Sequence, residues 1–154
     1  MRTRTILASL VAFFAGLAIS LAADVNMGTW KVNDAKSKFG AGAAKAMTVV
    51  YEVSGDSVKV TVNAVDKDGK AAQNVWVGKY DGKDYPVTGQ APYDSRAYTK
   101  VDDHTTNMTI KKDGKVVATG KISVAADGKS RTVTVIPTDP KMTALSQNAV
   151  YDKQ

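Results

Sequence analysis

Apolar and polar residues alternate with a period of two along most of this chain. Val58, Val60 and Val62 share one parity, with Lys59, Thr61 and Asn63 on the other. Met108 and Ile110 alternate with Thr109 and Lys111, and Val133 and Val135 with Thr132 and Thr134. A period of two places every apolar side chain of a segment on one face of a pleated strand. The pattern predicts strands over 28–33, 46–53, 57–65, 71–80, 84–87, 95–101, 105–112, 115–125, 130–137 and 147–152.

Turn chemistry separates these runs. Asp-Gly-Lys occurs four times, at Asp68-Gly69-Lys70, Asp81-Gly82-Lys83, Asp113-Gly114-Lys115 and Asp127-Gly128-Lys129, and Ser54-Gly55-Asp56 adds a fifth turn. Asp and Gly tolerate the positive φ that tight hairpins require. Short strands joined by successive hairpins make an antiparallel up-and-down meander. Closing it removes the two exposed edges, so the predicted fold is an all-β barrel of about eight to ten strands. An open sandwich is the alternative. Two stretches break the rhythm. Asp34 to Ala46, rich in Ala and Gly, reads as a loop or short irregular helix, and Thr138 to Ser146 as a long loop.

The first 23 residues carry a different pattern. Arg2 and Arg4 precede an uncharged, mostly apolar run from Ile6 to Leu21, followed by the small residues Ala22 and Ala23. This is the layout of a cleavable secretory signal peptide. Residues 1–23 are therefore expected to be removed, leaving 24–154 as one β-barrel domain in the periplasm or outside the cell, with no stable membrane insertion. An uncleaved anchor is the competing reading, since 19 uncharged residues can just span a bilayer.

Composition supports the strands. Beyond residue 23 there are 19 Val and 13 Thr, but only one Leu (Leu145) and one Glu (Glu52). Val and Thr suit a half-buried pleat, whereas Leu and Glu favour helices. The formal charge of +6 falls to +4 without Arg2 and Arg4, and the remaining cations are scattered and nearly all Lys. Nucleic-acid binders cluster their cations and favour Arg, so no nucleic-acid partner is expected. There is no Cys and a single His, which excludes disulfides, thiolate chemistry and His-rich metal sites.

The stretch Met27-Gly28-Thr29-Trp30-Lys31 resembles the Gly-x-Trp start of lipocalin, fatty-acid-binding and avidin-like barrels. That resemblance implies a structural role for Gly28 and Trp30, with the indole plugging the closed end and a cation packed over it. Arg131 and Lys153 are both candidates for the cation. A second resemblance rests on Gly28-Thr29-Trp30-Lys31, Lys36-Ser37-Lys38-Phe39, the run from Gly78 to Val87, and Val150-Tyr151-Asp152-Lys153. These are similar to a family of small secreted bacterial proteins without assigned activity, so the resemblance implies export and a β-rich fold and no catalytic residues.

Little else in the chain carries chemistry. Asp102-Asp103-His104 reads as a polar turn, because consecutive residues do not converge on one ion. Asp66-Lys67-Asp68-Gly69 lacks the spacing and the terminal Glu of a calcium loop. Ser95 with His104 and Asp94 is the one nucleophile–base grouping, and no Gly-x-Ser-x-Gly turn surrounds it. No catalytic residue, metal site or cofactor is expected, and the protein is read as not an enzyme.

The aromatic residues remain. Trp76, Tyr80, Tyr85, Tyr93 and Tyr98 fall in a short span. Their parity leaves three readings open: plain core, the wall of a ligand pocket, or an exposed patch. Trp76, Tyr80, Tyr85, Tyr98 and Met108 are the candidate ligand contacts. The expected function is to bind a small hydrophobic molecule inside the barrel, entering opposite Trp30. The alternative is a structural, envelope-associated protein whose barrel is filled by its own side chains.

Overall fold

The computed structural model describes residues 24–154. The signal-peptide reading of residues 1–23 lies outside the described residues. Eleven strands form: β1 (Gly28–Val32), β2 (Lys38–Phe39), β3 (Lys45–Ser54), β4 (Ser57–Val65), β5 (Ala71–Gly78), β6 (Tyr85–Gly89), β7 (Ser95–Lys100), β8 (Thr105–Lys112), β9 (Lys115–Val124), β10 (Ser130–Pro137) and β11 (Gln147–Lys153). Each long strand from β3 to β11 pairs antiparallel with the next, and β11 returns to β1. The result is a closed ten-strand barrel, compatible with the lipocalin-like fold that the Gly-x-Trp resemblance implies. Closure rests on Trp30 opposite Lys153, Lys31 opposite Asp152 and Val32 opposite Tyr151.

The strand β2 is additional to the predicted set. After β1 the chain makes a single 3-10 turn at Asp34–Lys36, and Lys38–Phe39 then pairs with Asn148 and Gln147 of β11. The Ser37 hydroxyl fixes this detour, donating to the Asn33 carbonyl at 2.7 Å and accepting from the Val150 amide at 2.9 Å. Two residues are too few to show an alternation, so this strand leaves no periodic signal. The second irregular stretch forms a 3-10 segment, Pro140–Leu145, started by Asp139, whose side chain accepts from the Lys141 amide.

The turns follow the local chemistry. At Asp113-Gly114 both residues take positive φ, 49° and 75°, which defines the tight turn that joins β8 to β9. Asp66 accepts from the amides of Asp68 and Lys70, each at 2.8 Å, so that acidic run is a hairpin turn. Asp81-Gly82-Lys83 behaves differently. Strand β5 ends at Gly78, two residues earlier than predicted, because the chain leaves β4 and crosses toward β7. Asp81 bridges to Thr99, and the Gly82 amide donates to the Tyr98 carbonyl at 2.9 Å. Beside the two pairs that β6 makes with β7, Tyr85–Arg96 and Pro86–Ser95, this crossing adds contacts to Tyr98 and Thr99 further along β7.

The inward parity is the predicted one. Val58 and Val60 are fully buried, as are or nearly are Met108, Ile110, Val133, Val135 and Ala149. At the end carrying the chain's first described residues, Trp30 is completely buried and its Nε1 donates to the Asn26 carbonyl at 2.8 Å. Residues 24–27 fold across this end, held by the Lys100–Asp24 ion pair. Gly28 has φ of +105°, a conformation disfavoured for any residue with a Cβ, so the Gly of Gly-x-Trp is a backbone requirement.

Candidate functional site

Strand parity brings every second residue inside, but the interior is not filled by side chains. A cavity of about 400 Å³ runs along it. That size lies within the range of small-molecule pockets, about 300–1,000 Å³. Its wall is largely apolar, combining aliphatic side chains such as Val49, Val62, Ile110 and Val133 with the rings of Tyr51 and Tyr151. It reaches the surface among Gly42, Ala43, Asp66, Lys67, Gln90 and Ala144. These residues sit on the connections at the barrel end opposite Trp30.

Away from the mouth, where Asp66, Lys67 and Asp68 sit, the charged side chains of the lining are both basic. Arg96 and Arg131, the two arginines of the described residues, both line the cavity, at 4% and 2% exposure. Arg131, the second residue of β10, has the same parity as Val133 and Val135, so its side chain is carried inward with theirs. Its guanidinium lies 4.6 Å from the Trp30 ring, 4.7 Å from Tyr51 and 5.3 Å from Tyr151. Its Nε and Nη1 are buried and have no hydrogen-bond partner. Arg96 shares its parity with Tyr98 on β7. Its Nη1 donates to the Tyr98 hydroxyl and its Nη2 to the Asn74 side-chain oxygen, both at 3.1 Å, while Nε is unpartnered. Neither arginine forms an ion pair among the described residues.

The phenols nearby stay protonated well into the alkaline range. Burial pushes the Tyr151 hydroxyl up to about 12, against the opposing pull of Arg131. Burial also raises Tyr98 and Tyr80 well above the ordinary phenol value. A low-dielectric environment disfavours the charged phenolate in each case.

The five aromatic and Met candidates divide. Tyr98 and Met108 line the cavity. Trp76 is fully buried behind Tyr98, with ring centroids 4.6 Å apart at 80°, and its Nε1 donates to the Arg96 carbonyl at 3.0 Å. Of the readings left open by parity, the structure places Trp76 in the core rather than on the cavity wall or the surface. Tyr85 packs edge-on against Trp76, and its hydroxyl donates to Asp81 at the surface at 2.9 Å. Tyr80 packs edge-on against Tyr98 at 6.2 Å and shares Lys100 at 5.7 Å from its ring. Trp76, Tyr80 and Tyr85 thus buttress the wall and do not face the cavity. The cation over Trp30 is resolved as both candidates, with Lys153 Nζ 5.2 Å from the same ring.

Tyr51, Asn74, Arg96 and Tyr151 are among the lining residues absent from the candidate contacts. The available signal was parity: Arg96 alternates with Ala97 on the side of Tyr98, as Asn74 does with Val75 on the side of Trp76. Ser95 opens β7, whereas His104 follows its far end, where the His104 amide donates to Asp102 at 2.8 Å. Among the described residues no group of three or more His, Asp or Glu is placed to hold a metal ion. The chain matches no protein-family model and no curated protein sequence.

Proposed function

We propose that this is an exported, non-enzymatic barrel protein that carries a small hydrophobic molecule in its interior. The observation that supports the reading most directly is the cavity of about 400 Å³ with a largely apolar wall and its mouth opposite Trp30. An apolar guest displaces poorly held water there and gains dispersion contacts with Val and Ile side chains. Export is supported by the basic, then apolar, then small-residue order of positions 2–23.

The test has two arms. N-terminal sequencing of the protein from its producing cell should give Ala23 or Asp24 as the first residue, and a retained Met1 in the membrane fraction would remove the export reading. For binding, the Trp30→Phe variant leaves Trp76 as the single indole, in ring contact with Tyr98 on the cavity wall. Titration with neutral apolar dyes should change its fluorescence saturably at micromolar ligand. Absence of any saturable response, with no small molecule retained in native mass spectrometry, would favour a purely structural barrel.

A further inference from the structure

We propose that Asp113-Gly114 is a site of spontaneous modification. The Gly114 nitrogen closes on the Asp113 side chain to form a cyclic imide, which water reopens to isoaspartate.

Four Asp-Gly pairs lie at turns: Asp68-Gly69, Asp81-Gly82, Asp113-Gly114 and Asp127-Gly128. In each, the missing Cβ of Gly leaves the amide nitrogen unhindered. Hydrogen bonds separate the four. The Gly69 amide donates to the Asp66 carbonyl at 3.1 Å, Gly82 to Tyr98 at 2.9 Å and Gly128 to Ala125 at 2.9 Å. Their aspartates are held as well. Asp68 pairs with Lys67, Asp81 accepts from the Lys83 amide and the Tyr85 hydroxyl, and Asp127 accepts from the Lys129 amide. The 113–114 peptide is free on both sides. Among the described residues, neither the Gly114 amide nor the Asp113 carbonyl has a hydrogen-bond partner. The Asp113 carboxylate forms no ion pair there either.

The turn supplies the geometry. Positive φ at both central residues, 49° and 75°, makes it type I′. The ring to be closed contains Cα, Cβ, Cγ and the carbonyl carbon of Asp113 with the Gly114 nitrogen. Closure needs that nitrogen on the Cβ side of the Cα–C bond. Turning the 113–114 peptide over gives a type II′ turn, whose first central residue has ψ near about −120° and brings the nitrogen beside Cβ. Both turn types are two-residue hairpin connections, so the Lys112–Lys115 pair is kept. The Asp113 amide keeps its bond to Asp94 Oδ2 at 2.8 Å. The II′ form is disfavoured for a residue with a Cβ, so it is visited transiently and the reaction is slow. Turning over the other three peptides would break the bonds of their Gly amides.

The bonds balance with water alone. The Gly114 nitrogen bonds to Cγ of the protonated carboxyl, and its proton leaves with the carboxyl hydroxyl as water. Water then adds to the imide. Opening the new nitrogen–Cγ bond restores aspartate. Opening the original peptide bond leaves the main chain running through Cβ and Cγ. That product adds a carbon to a two-residue turn and loosens its tie to Asp94, whose loop carries Gln90, Pro92 and Tyr93 of the cavity lining.

The intact protein is aged for several weeks in neutral buffer, folded or in urea. It is then digested with a protease that cuts before aspartate but not before isoaspartate. Electron-transfer fragmentation of the uncut peptides identifies the altered linkage. In the folded protein, isoaspartate at Asp113 should accumulate about fivefold or more faster than at Asp68, Asp81 or Asp127, the factor that one retained hydrogen bond represents. In urea the four rates should converge. A folded rate at Asp113 no higher than at the other three would overturn the proposal. So would formation at Asp113 in urea alone, or an equal lead of Asp113 in both conditions, which would assign the effect to sequence and not to the turn.

Discussion

The guanidinium of Arg131 lies 4.6 Å from the centre of the Trp30 ring, although the two residues belong to strands that do not pair. Strand β11 stands between them, and the contact is made through the barrel interior. Trp30 therefore anchors two things at once: the closed end beneath it, through its Nε1 bond to Asn26, and the deepest charge of the cavity above.

Trp30→Ala is expected to cost about 3–5 kcal/mol, the range for truncating a buried large aromatic. Reversible urea denaturation measures it. A loss below about 1 kcal/mol would show that the indole does not plug the barrel.

The two arginines should respond oppositely to removal. Arg131→Met exchanges an unpaired buried charge for an apolar side chain, and is expected to keep stability within about 1 kcal/mol of the parent or to raise it. Arg96→Met leaves Asn74 and the Tyr98 hydroxyl without their donor, and should cost about 1–3 kcal/mol. Chemical denaturation of both variants in one buffer checks the contrast, which would be lost if Arg131→Met were the more damaging.

A Cβ at Gly78 would fall 2.5 Å from Cγ of Tyr85 and 2.6 Å from the Trp76 ring. Gly78→Ala must displace the edge-on pair, and is expected to cost about 1–3 kcal/mol, the usual overpacking penalty. The near-ultraviolet circular dichroism of Trp76 should weaken in the same variant. An unchanged spectrum and midpoint would mean that the rings are not wedged there.

Alkaline pH should unfold the protein. The unfolded phenol titrates near about 10, while burial holds Tyr151 up to about 12 and Tyr80 and Tyr98 also above their usual value. A raised folded pKa means that the unfolded chain loses these protons first. Stability from these groups is complete below about pH 10 and falls as pH rises through the folded values. In an ultraviolet titration, these three phenols should ionise only together with the loss of strand signal by far-ultraviolet circular dichroism. Full ionisation of all tyrosines at constant strand content would contradict their burial.

Most of the barrel was legible because its code is local. Ten predicted strands correspond to ten observed ones, since alternation fixes the faces and Asp-Gly fixes the turns. The crossing at 79–84 was not legible, because Tyr80 continues the parity of Trp76 while its neighbour Asp81 pairs with Thr99, a distant partner. The face of Trp76 was ambiguous because Val75 and Val77 are apolar too; Val77 proves 43% exposed. The cavity itself was hardest to read. A void depends on the volumes of side chains from opposite walls, and no single strand records that sum. Arg96 likewise resembles any solvated cation until its strand is placed in the ring.

The pairing of Trp30 with Lys153 also constrains time. The strand that β1 needs on its open side is β11, the last in order along the described residues. Hairpins from β3 to β10 can form as they leave the ribosome, but joining the ends closes a loop of nearly the whole described chain, a costly and slow kind of contact. Sealing of the ring is thus expected to be the final step of folding, with Trp30 waiting in water until Arg131 and Lys153 arrive. In stopped-flow refolding, Trp30 fluorescence should lag behind the appearance of strand signal. A chain intercepted before that step still presents two unpaired edges, along β1 and β11.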